Sequence, residues 1–452
     1  MNKNTLNMTE GSTVKLILIF SIPMLIGNIF QQFYNLADSV IVGRLIGANA
    51  LAAIGATNSI GFFFFALCNG FGNGGGIITS QFFGEGNTKK VKNCIANTAY
   101  IMFVIPFVIA VVAFLLSTSI LRVLDTPENI FRDASIYLRI TCVGLVLVSA
   151  YNFVSSMLRA LGDSKTPLYF LIFSTILNGI LDFIFVYFFK LGVFGAGIAT
   201  LISQFISAGA CFFYAVKTND YFRLSKEDLK VNFPLIWKCL KLGVPLSLQF
   251  SLIAISCMAL QRVVNGFGPV AVAAFTATGR IEQVINQPYQ TLCAALSTFC
   301  GQNYGAKKYN RLFKGYHRCM AMMAIFTLVM VPVIQVFGNA ITSLFVKDAE
   351  VIEMGAKAMK ITSWFYIFLG LIYVTRGVLN GVGDAFFALL NGIVEVIGRF
   401  IVPVMLTTVA AIGVWGIWWS VGIVWFMAGF TAYLRYIWVK YKITNTDSLV
   451  LN

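Results

Sequence analysis

The chain has 452 residues; 58% are apolar and only 11% charged, against about a quarter charged in a soluble domain. Its formal net charge is +15 and its mean hydropathy +0.81. So little polar surface excludes a set of soluble globules, and so much apolar content excludes disorder.

Twelve apolar segments are predicted in chain order, near 14–42, 51–80, 93–117, 134–160, 168–190, 193–216, 236–264, 270–300, 316–346, 358–381, 386–409 and 413–438. Each is long enough to cross ~30 Å of hydrocarbon as a helix, and several are longer, so tilted or bent helices are expected. The fold class is an all-α polytopic membrane protein. The first segment follows a polar leader and is too long for the h-region of a cleaved signal. The second and eighth are rich in Gly and polar residues, which suits a cavity wall better than lipid.

With the N-terminus inside, the even-numbered loops hold most of the basic residues, including Lys89, Lys90, Lys92, Lys226, Lys230, Lys307, Lys308 and Arg311. That asymmetry predicts both termini in the cytoplasm and accounts for the net charge without nucleic acid. The nine cysteines are scattered through apolar runs and suggest neither a disulfide framework nor a zinc site. The one histidine, His317, sits in a basic stretch at headgroup level. No Walker A, HExxH or Gly-x-Ser-x-Gly motif occurs, so an enzyme is not expected and no cofactor is implied. Gly72-Asn73-Gly74-Gly75-Gly76 lacks the strand and Lys-Ser/Thr of a phosphate loop; close helix packing or a flexible point fits it better. Phe62–Phe65 reads as lipid-facing or packing residues, and Trp415, Trp418, Trp419, Trp425 and Trp438 partly fit an interfacial belt.

The two halves resemble each other. Gly47 aligns with Gly268, Pro23 with Pro245, Gln81 with Gln302, and Gly162-Asp163 with Gly383-Asp384, at an offset near 221. A last match, Asn178 and Asp182 with Asn391 and Glu395, drops the offset to 213. Six spans separate equivalent points, so the copies share one orientation, and a parallel duplication suits alternating access. The expected organisation is an N-terminal six-helix lobe (1–216), a cytoplasmic linker (217–235) and a C-terminal six-helix lobe (236–452), pseudo-symmetric about a central cavity.

Four acids fall inside predicted spans: Asp38, Asp182, Glu282 and Glu395. A charge at mid-bilayer costs about 2.5–3.5 kcal/mol on insertion scales, so each needs a partner, a proton or water. Gln31, Asn35 and Asp38 form one stripe on the first span, and Asn178 and Asp182 share a face on the fifth. Neither stripe has a basic neighbour in its own span. Such carboxylates would take a proton or ligate a hard cation such as Na⁺. Thr200 offers a further oxygen. Interhelical hydrogen bonding alone would also account for them. In the second half, Glu395 and Arg399 at i and i+4 predict a local ion pair. Gln31, Gln32, Tyr34, Asn35, Glu282, Asn286 and Gln287 are the candidate lining of a substrate cavity.

Ser21–Asp38 (Ser-Ile-Pro-Met-Leu-Ile-Gly-Asn-Ile-Phe-Gln-Gln-Phe-Tyr-Asn-Leu-Ala-Asp), Leu158–Pro167, Arg280-Ile281-Glu282 and Gly301–Ala306 closely resemble bacterial MATE (multidrug and toxic compound extrusion) exporters, with the DNA-damage-inducible F-like branch the most similar. The resemblance covers nearly the whole chain. It implies twelve helices in two lobes and export of amphipathic, cationic small molecules by antiport with H⁺ or Na⁺. It also implies a cation site at Asp38, Asn178, Asp182 and Thr200, with Na⁺ held by the first three, and a first helix bent at Pro23. Some relatives carry an acid in span seven; Val244–Leu260 has none, so coupling through the N-terminal lobe is expected. A monomer in the plasma membrane lipid bilayer, without nucleic acid, completes the expectation. The rival readings are a flippase for a lipid-linked oligosaccharide, which would call for more cavity Arg and Lys, and a non-transporting receptor or scaffold.

Overall fold

A computed structural model describes residues 5–124 and 126–450; among these, the side chains of 33–42, 44, 48, 51, 58, 59, 254 and 446–450 are left undescribed. The described chain is helical throughout, with α1 (Thr13–Leu45), α2 (Ala48–Gly84), α3 (Thr88–Val123), α4 (Glu128–Ala160), α5 (Lys165–Asp182), α6 (Gly192–Thr218) and α7 (Phe233–Asn265). There follow α8 (Pro269–Gly305), α9 (Tyr309–Ser343), α10 (Ala349–Ser363), α11 (Tyr366–Val382), α12 (Ala385–Thr408) and α13 (Gly416–Val450).

Among the described residues, ten helices are long and apolar enough to span a bilayer, and the pair α10–α11, bent by 54°, makes an eleventh. The twelfth is α8, 37 residues long but carrying Arg280, Glu282, Gln283, Asn286 and Gln287. A polar helix crosses lipid only with that face turned into protein or water. Large apolar side chains point outward elsewhere: Leu115, Phe213 and Leu328 are each more than 70% exposed. In water such a surface would aggregate; against acyl chains it is the stable one.

The chain packs into two compact units. Among the described residues, one holds 5–7 and Ile22–Ser247, the other Met8–Ser21 and 248–450. Helix α1 therefore starts in the second unit and ends in the first, while α7 does the reverse. Pro23 and Pro245, each inside its helix, lie within two residues of these crossings or just before them.

In the first unit the glycine run of α2 packs closely. A Cβ on Gly74 would stand 2.6 Å from the backbone nitrogen of Gly243 and 2.9 Å from the carbonyl oxygen of Cys239 on α7. One on Gly75 would collide with Thr98 of α3. Close packing explains the glycines at 74 and 75. In the second unit, the segment before α1 is clasped by the α8–α9 turn. The Met8 amide donates to Gln302 Oε1 at 2.8 Å. Arg311 donates from Nη1 to Gly11 O at 2.7 Å, from Nη2 to Glu10 O at 3.0 Å, and from Nε and Nη2 to Met8 O.

The duplication is written in the backbone. Gly47 and Gly268, Gly86 and Lys307, Gly162 and Gly383, and Gly192 and Gly413 all have positive φ, and each pair is 221 residues apart. Glycine recurs there because the left-handed region costs it nothing. These pairs bracket α5 and α12 at one constant offset, which leaves no room for an eight-residue shift. The match of Asn178 and Asp182 with Asn391 and Glu395 is thereby overturned. Their equivalents are Arg399 and Pro403, while Asp38 corresponds to Ala259 and Thr200 to Val421.

One further expectation is corrected. Trp418 and Trp425 are buried, packed against Phe275 and Tyr366, and so do not belong to an interfacial belt. The Phe62–Phe65 run agrees with its reading as lipid-facing or packing residues: Phe64 is buried and the other three are exposed.

Candidate functional site

The first unit carries the predicted carboxylate site. On α5, Asn178 and Asp182 are both almost fully buried, 2% and 1% exposed. One turn apart, they face the same way. The Asn178 amide has no hydrogen-bond partner at either atom among the described residues. A buried amide left so costs on the order of 1–3 kcal/mol.

Helix α6 lies antiparallel beside α5. The Ser207 hydroxyl donates to Phe170 O at 3.0 Å and that of Ser174 to Ser203 O at 3.5 Å. Continuing that register by one turn brings Asn178 level with Ala199 and Thr200. The half-buried Thr200 donates its hydroxyl to Ala196 O at 3.1 Å, which leaves oxygen lone pairs to offer. Directly after Asp182 the helix widens: the Phe189 amide donates to Ile184 O, five residues back, at 3.1 Å. Such a wide turn redirects side chains and is frequent at functional sites.

The side chains of Asp38, Tyr34 and Asn35 lie outside the described residues. Gln31 and Gln32 are half-buried on α1 in the first unit. No cluster of three or more His, Cys, Asp or Glu occurs among the described residues. A donor set of carboxylate, amide and hydroxyl oxygens fits a proton or a hard monovalent cation and not a thiophilic metal.

The other cavity candidates are in the second unit. Glu282 and Asn286 are half-buried one turn apart on α8, and each has an oxygen, Oε1 and Oδ1, that is buried without a partner among the described residues. Gln287 is buried and donates to Gln283 O at 3.2 Å.

The predicted Glu395–Arg399 pair exists but is the weaker of two: Arg399 Nη2 is 3.5 Å from Glu395 Oε2. The closer partner is Arg376 of α11, which pairs with Glu395 Oε1 and donates from Nε and Nη2 to Asn391 Oδ1 at 2.9 and 2.6 Å. Asn391 is held in turn by Ala428 O and Thr431 of α13. Arg376 is the functional-looking residue that sequence reading missed. The signal was available, since an arginine inside an apolar span has to find an acid.

A family model, MatE, matches residues 23–184 and again 245–405, once for each copy. The chain belongs to the MATE family. It is therefore a multi-pass membrane transporter and not an enzyme. A Bacillus subtilis protein named as a probable multidrug resistance protein, YpnP, is 31% identical over 83% of this chain and 84% of its own. The multidrug export protein MepA of Staphylococcus aureus is 24% identical over 98% and 97% of the two chains. Solved MATE structures in the straight and the bent conformation each give a TM-score of 0.92. They are 22% and 23% identical, cover 98% and 99% of this transporter and 100% of their own chains, and share its twelve-helix fold.

Proposed function

We propose that this transporter exports amphipathic, cationic small molecules across the bacterial plasma membrane by alternating access. Inward movement of H⁺ or Na⁺ drives it, bound by Asp38, Asn178, Asp182 and Thr200. It works as a monomer with both termini in the cytoplasm. The single observation that carries the ion site is the Asn178 amide, buried with neither donor nor acceptor used among the described residues, one turn from a buried carboxylate.

Helix register supports the membership of Asp38. Gly27 of α1 packs against Leu168 and Leu171 of α5. The first and fifth spans run parallel, so the turn of α1 that carries Asn35 and Asp38 comes level with Asn178 and Asp182. The second copy points the same way. There Arg399, equivalent to Asn178, donates at 3.0 Å to Ser256 on α7, the equivalent of Asn35. Asp38 and Asp182 are replaced by Ala259 and Pro403, so only the first copy has acids at these positions. The names of YpnP and MepA support a drug-like cargo.

Ion binding must favour one conformation over the other, or no coupling results. Entry of one charge down a 100 mV potential supplies about 2.3 kcal/mol. The test is efflux of a fluorescent cationic dye from proteoliposomes under separately imposed pH and Na⁺ gradients. Wild type responds to one gradient or both, while Asp38→Asn and Asp182→Asn fall to the leak rate. Wild-type efflux by folded Asp182→Asn protein would overturn the assignment.

A further inference from the structure

The segment between α6 and α7 is held to α3 by its backbone. Lys92 Nζ donates to Arg223 O, and Tyr100 Oη to Leu229 O, each at 2.7 Å. Asn93 Nδ2 donates to Asp228 O and Lys230 O at 3.1 and 3.2 Å, and Asn232 N donates to Asn97 Oδ1 at 2.8 Å. With the main chain turned inward, the side chains of Lys230, Val231 and Asn232 are left exposed. Together with Lys89, Lys90 and Phe233 they line a cleft of about 490 Å³ within the first unit.

The charges of this cleft do not cancel. Glu227 and Asp228 also line it. The Asp228 carboxylate is taken by the Ser225 amide and hydroxyl, at 2.8 and 2.7 Å. Glu227 stands 3.5 Å from Lys89, and both side chains are largely in solvent, so that pair contributes little. Lys90 is 2.7 Å from Glu85. Lys230 pairs with no acid among the described residues. Asn232 Oδ1 accepts from the Leu235 amide at 3.1 Å, which leaves the Asn232 N–H groups to donate.

Further along α3 the surface turns apolar. Asn93, Asn97 and Tyr100 stand at i, i+4 and i+7, and Val104 and Phe107 continue the same stripe. Both are exposed, and Phe103 stacks on Phe107 with ring centroids 6.1 Å apart. On α7, Phe233 and Trp237 lie one turn apart, also exposed, with Lys241 Nζ over the Trp237 ring at 5.8 Å. An exposed tryptophan beside a lysine suits the headgroup level of a bilayer. A free phosphate would use the lysines alone. A lipid uses the lysines and the apolar stripe that leads away from them.

We propose that this cleft binds one anionic phospholipid of the surrounding bilayer, its phosphate on Lys89 and Lys230 and an acyl chain along Val104 and Phe107. The headgroup displaces only a solvated carboxylate, Glu227, from Lys89. Binding stands on the membrane-embedded fold; only the choice of the cytoplasmic leaflet comes from the orientation proposed above.

The test uses the full chain in phosphatidylcholine nanodiscs doped with a phosphatidylglycerol that carries a photoreactive acyl chain, or with its phosphatidylcholine counterpart. Cross-linked peptides are then mapped. A lysine beside an anionic lipid strengthens binding about fivefold. The phosphatidylglycerol probe should therefore label 93–107 and 229–237 at least about fivefold more than the phosphatidylcholine probe. Lys89→Gln and Lys230→Gln should each lower that labelling about fivefold. Both side chains are exposed, and the carbonyl of residue 230 stays on Asn93, so the fold is kept. Lys314→Gln removes an exposed lysine of α9 and controls for general attraction by net charge; it should leave the labelling unchanged. Excess sn-glycerol 3-phosphate should not displace the probe. Equal labelling by the two probes, no loss in Lys89→Gln and Lys230→Gln, an equal loss in Lys314→Gln, or displacement by sn-glycerol 3-phosphate would overturn the proposal.

Discussion

Replacing Gly74 by Ala should cost far more than the same change two residues on. The added Cβ would lie 2.6 Å from Gly243 N, 2.7 Å from Gly243 Cα and 2.9 Å from Cys239 O. All three are backbone atoms, so no side chain can rotate away, and α2 and α7 must separate by roughly 0.5–1 Å. Overpacking of this kind costs about 1–3 kcal/mol, and alanine's better helix propensity returns only about 1 kcal/mol. At Gly76 the nearest atom, Ser156 O, is 3.5 Å from the new Cβ, which is ordinary contact. There the propensity gain stands nearly alone, so Gly76→Ala should match or exceed wild type. Seven of the nine cysteines are buried, so thermal unfolding can be followed with a thiol-reactive dye on detergent-purified protein. The expected order is Gly76→Ala at or above wild type, and Gly74→Ala several degrees below. Gly74→Ala melting with wild type while Gly76→Ala drops would refute the packing argument.

Two further outcomes follow from contacts outside the membrane. Arg311→Ala removes the fork that holds Met8, Glu10 and Gly11, and charge-assisted hydrogen bonds contribute about 1.5–3 kcal/mol each when well sheltered. Trypsin cleavage at the exposed Lys15 should then accelerate about tenfold or more, with Arg311→Lys between, since an ammonium cannot reproduce the fork; an unchanged rate would show that the clasp does not hold the segment. Asp228 supplies a pH test. Burial opposes its charge, but the Ser225 hydroxyl and amide, at 2.7 and 2.8 Å, together with Lys92 and Lys89, hold the carboxyl below its usual range. A lowered pKa contributes stability above the unfolded value near ~4 and loses it as pH falls through the folded one. Asp228→Asn should therefore make the 225–232 segment more protease-sensitive than wild type at neutral pH, with a smaller difference at about pH 3, read with trypsin and pepsin respectively.

The expectations that failed share a cause. The repeat was aligned on its most similar letters, and Asn-Gly-Ile beside an acid occurs in both halves. Only backbone torsions at Gly162, Gly192, Gly383 and Gly413 show that the offset never changes. Glu395 was matched with the cation nearest in sequence. Its closer partner comes from another helix, as Arg376 does. Trp418 and Trp425 look interfacial by composition, but burial depends on which face meets a neighbour.

By itself the sequence determined the helical membrane class, the number of spans and the duplication. Those follow from local quantities: apolar length against bilayer thickness, and similarity between segments. It also marked Asn178 and Asp182 as one buried face, because helical periodicity is local. Tertiary structure alone decided that residues 8–21 pack with the second unit, that Gly74 admits no Cβ, and that Arg376 takes up Glu395 while Arg399 is left loosely held. Each of these depends on a partner distant in the chain. Packing and charge pairing are set by distance in space, which no single segment encodes.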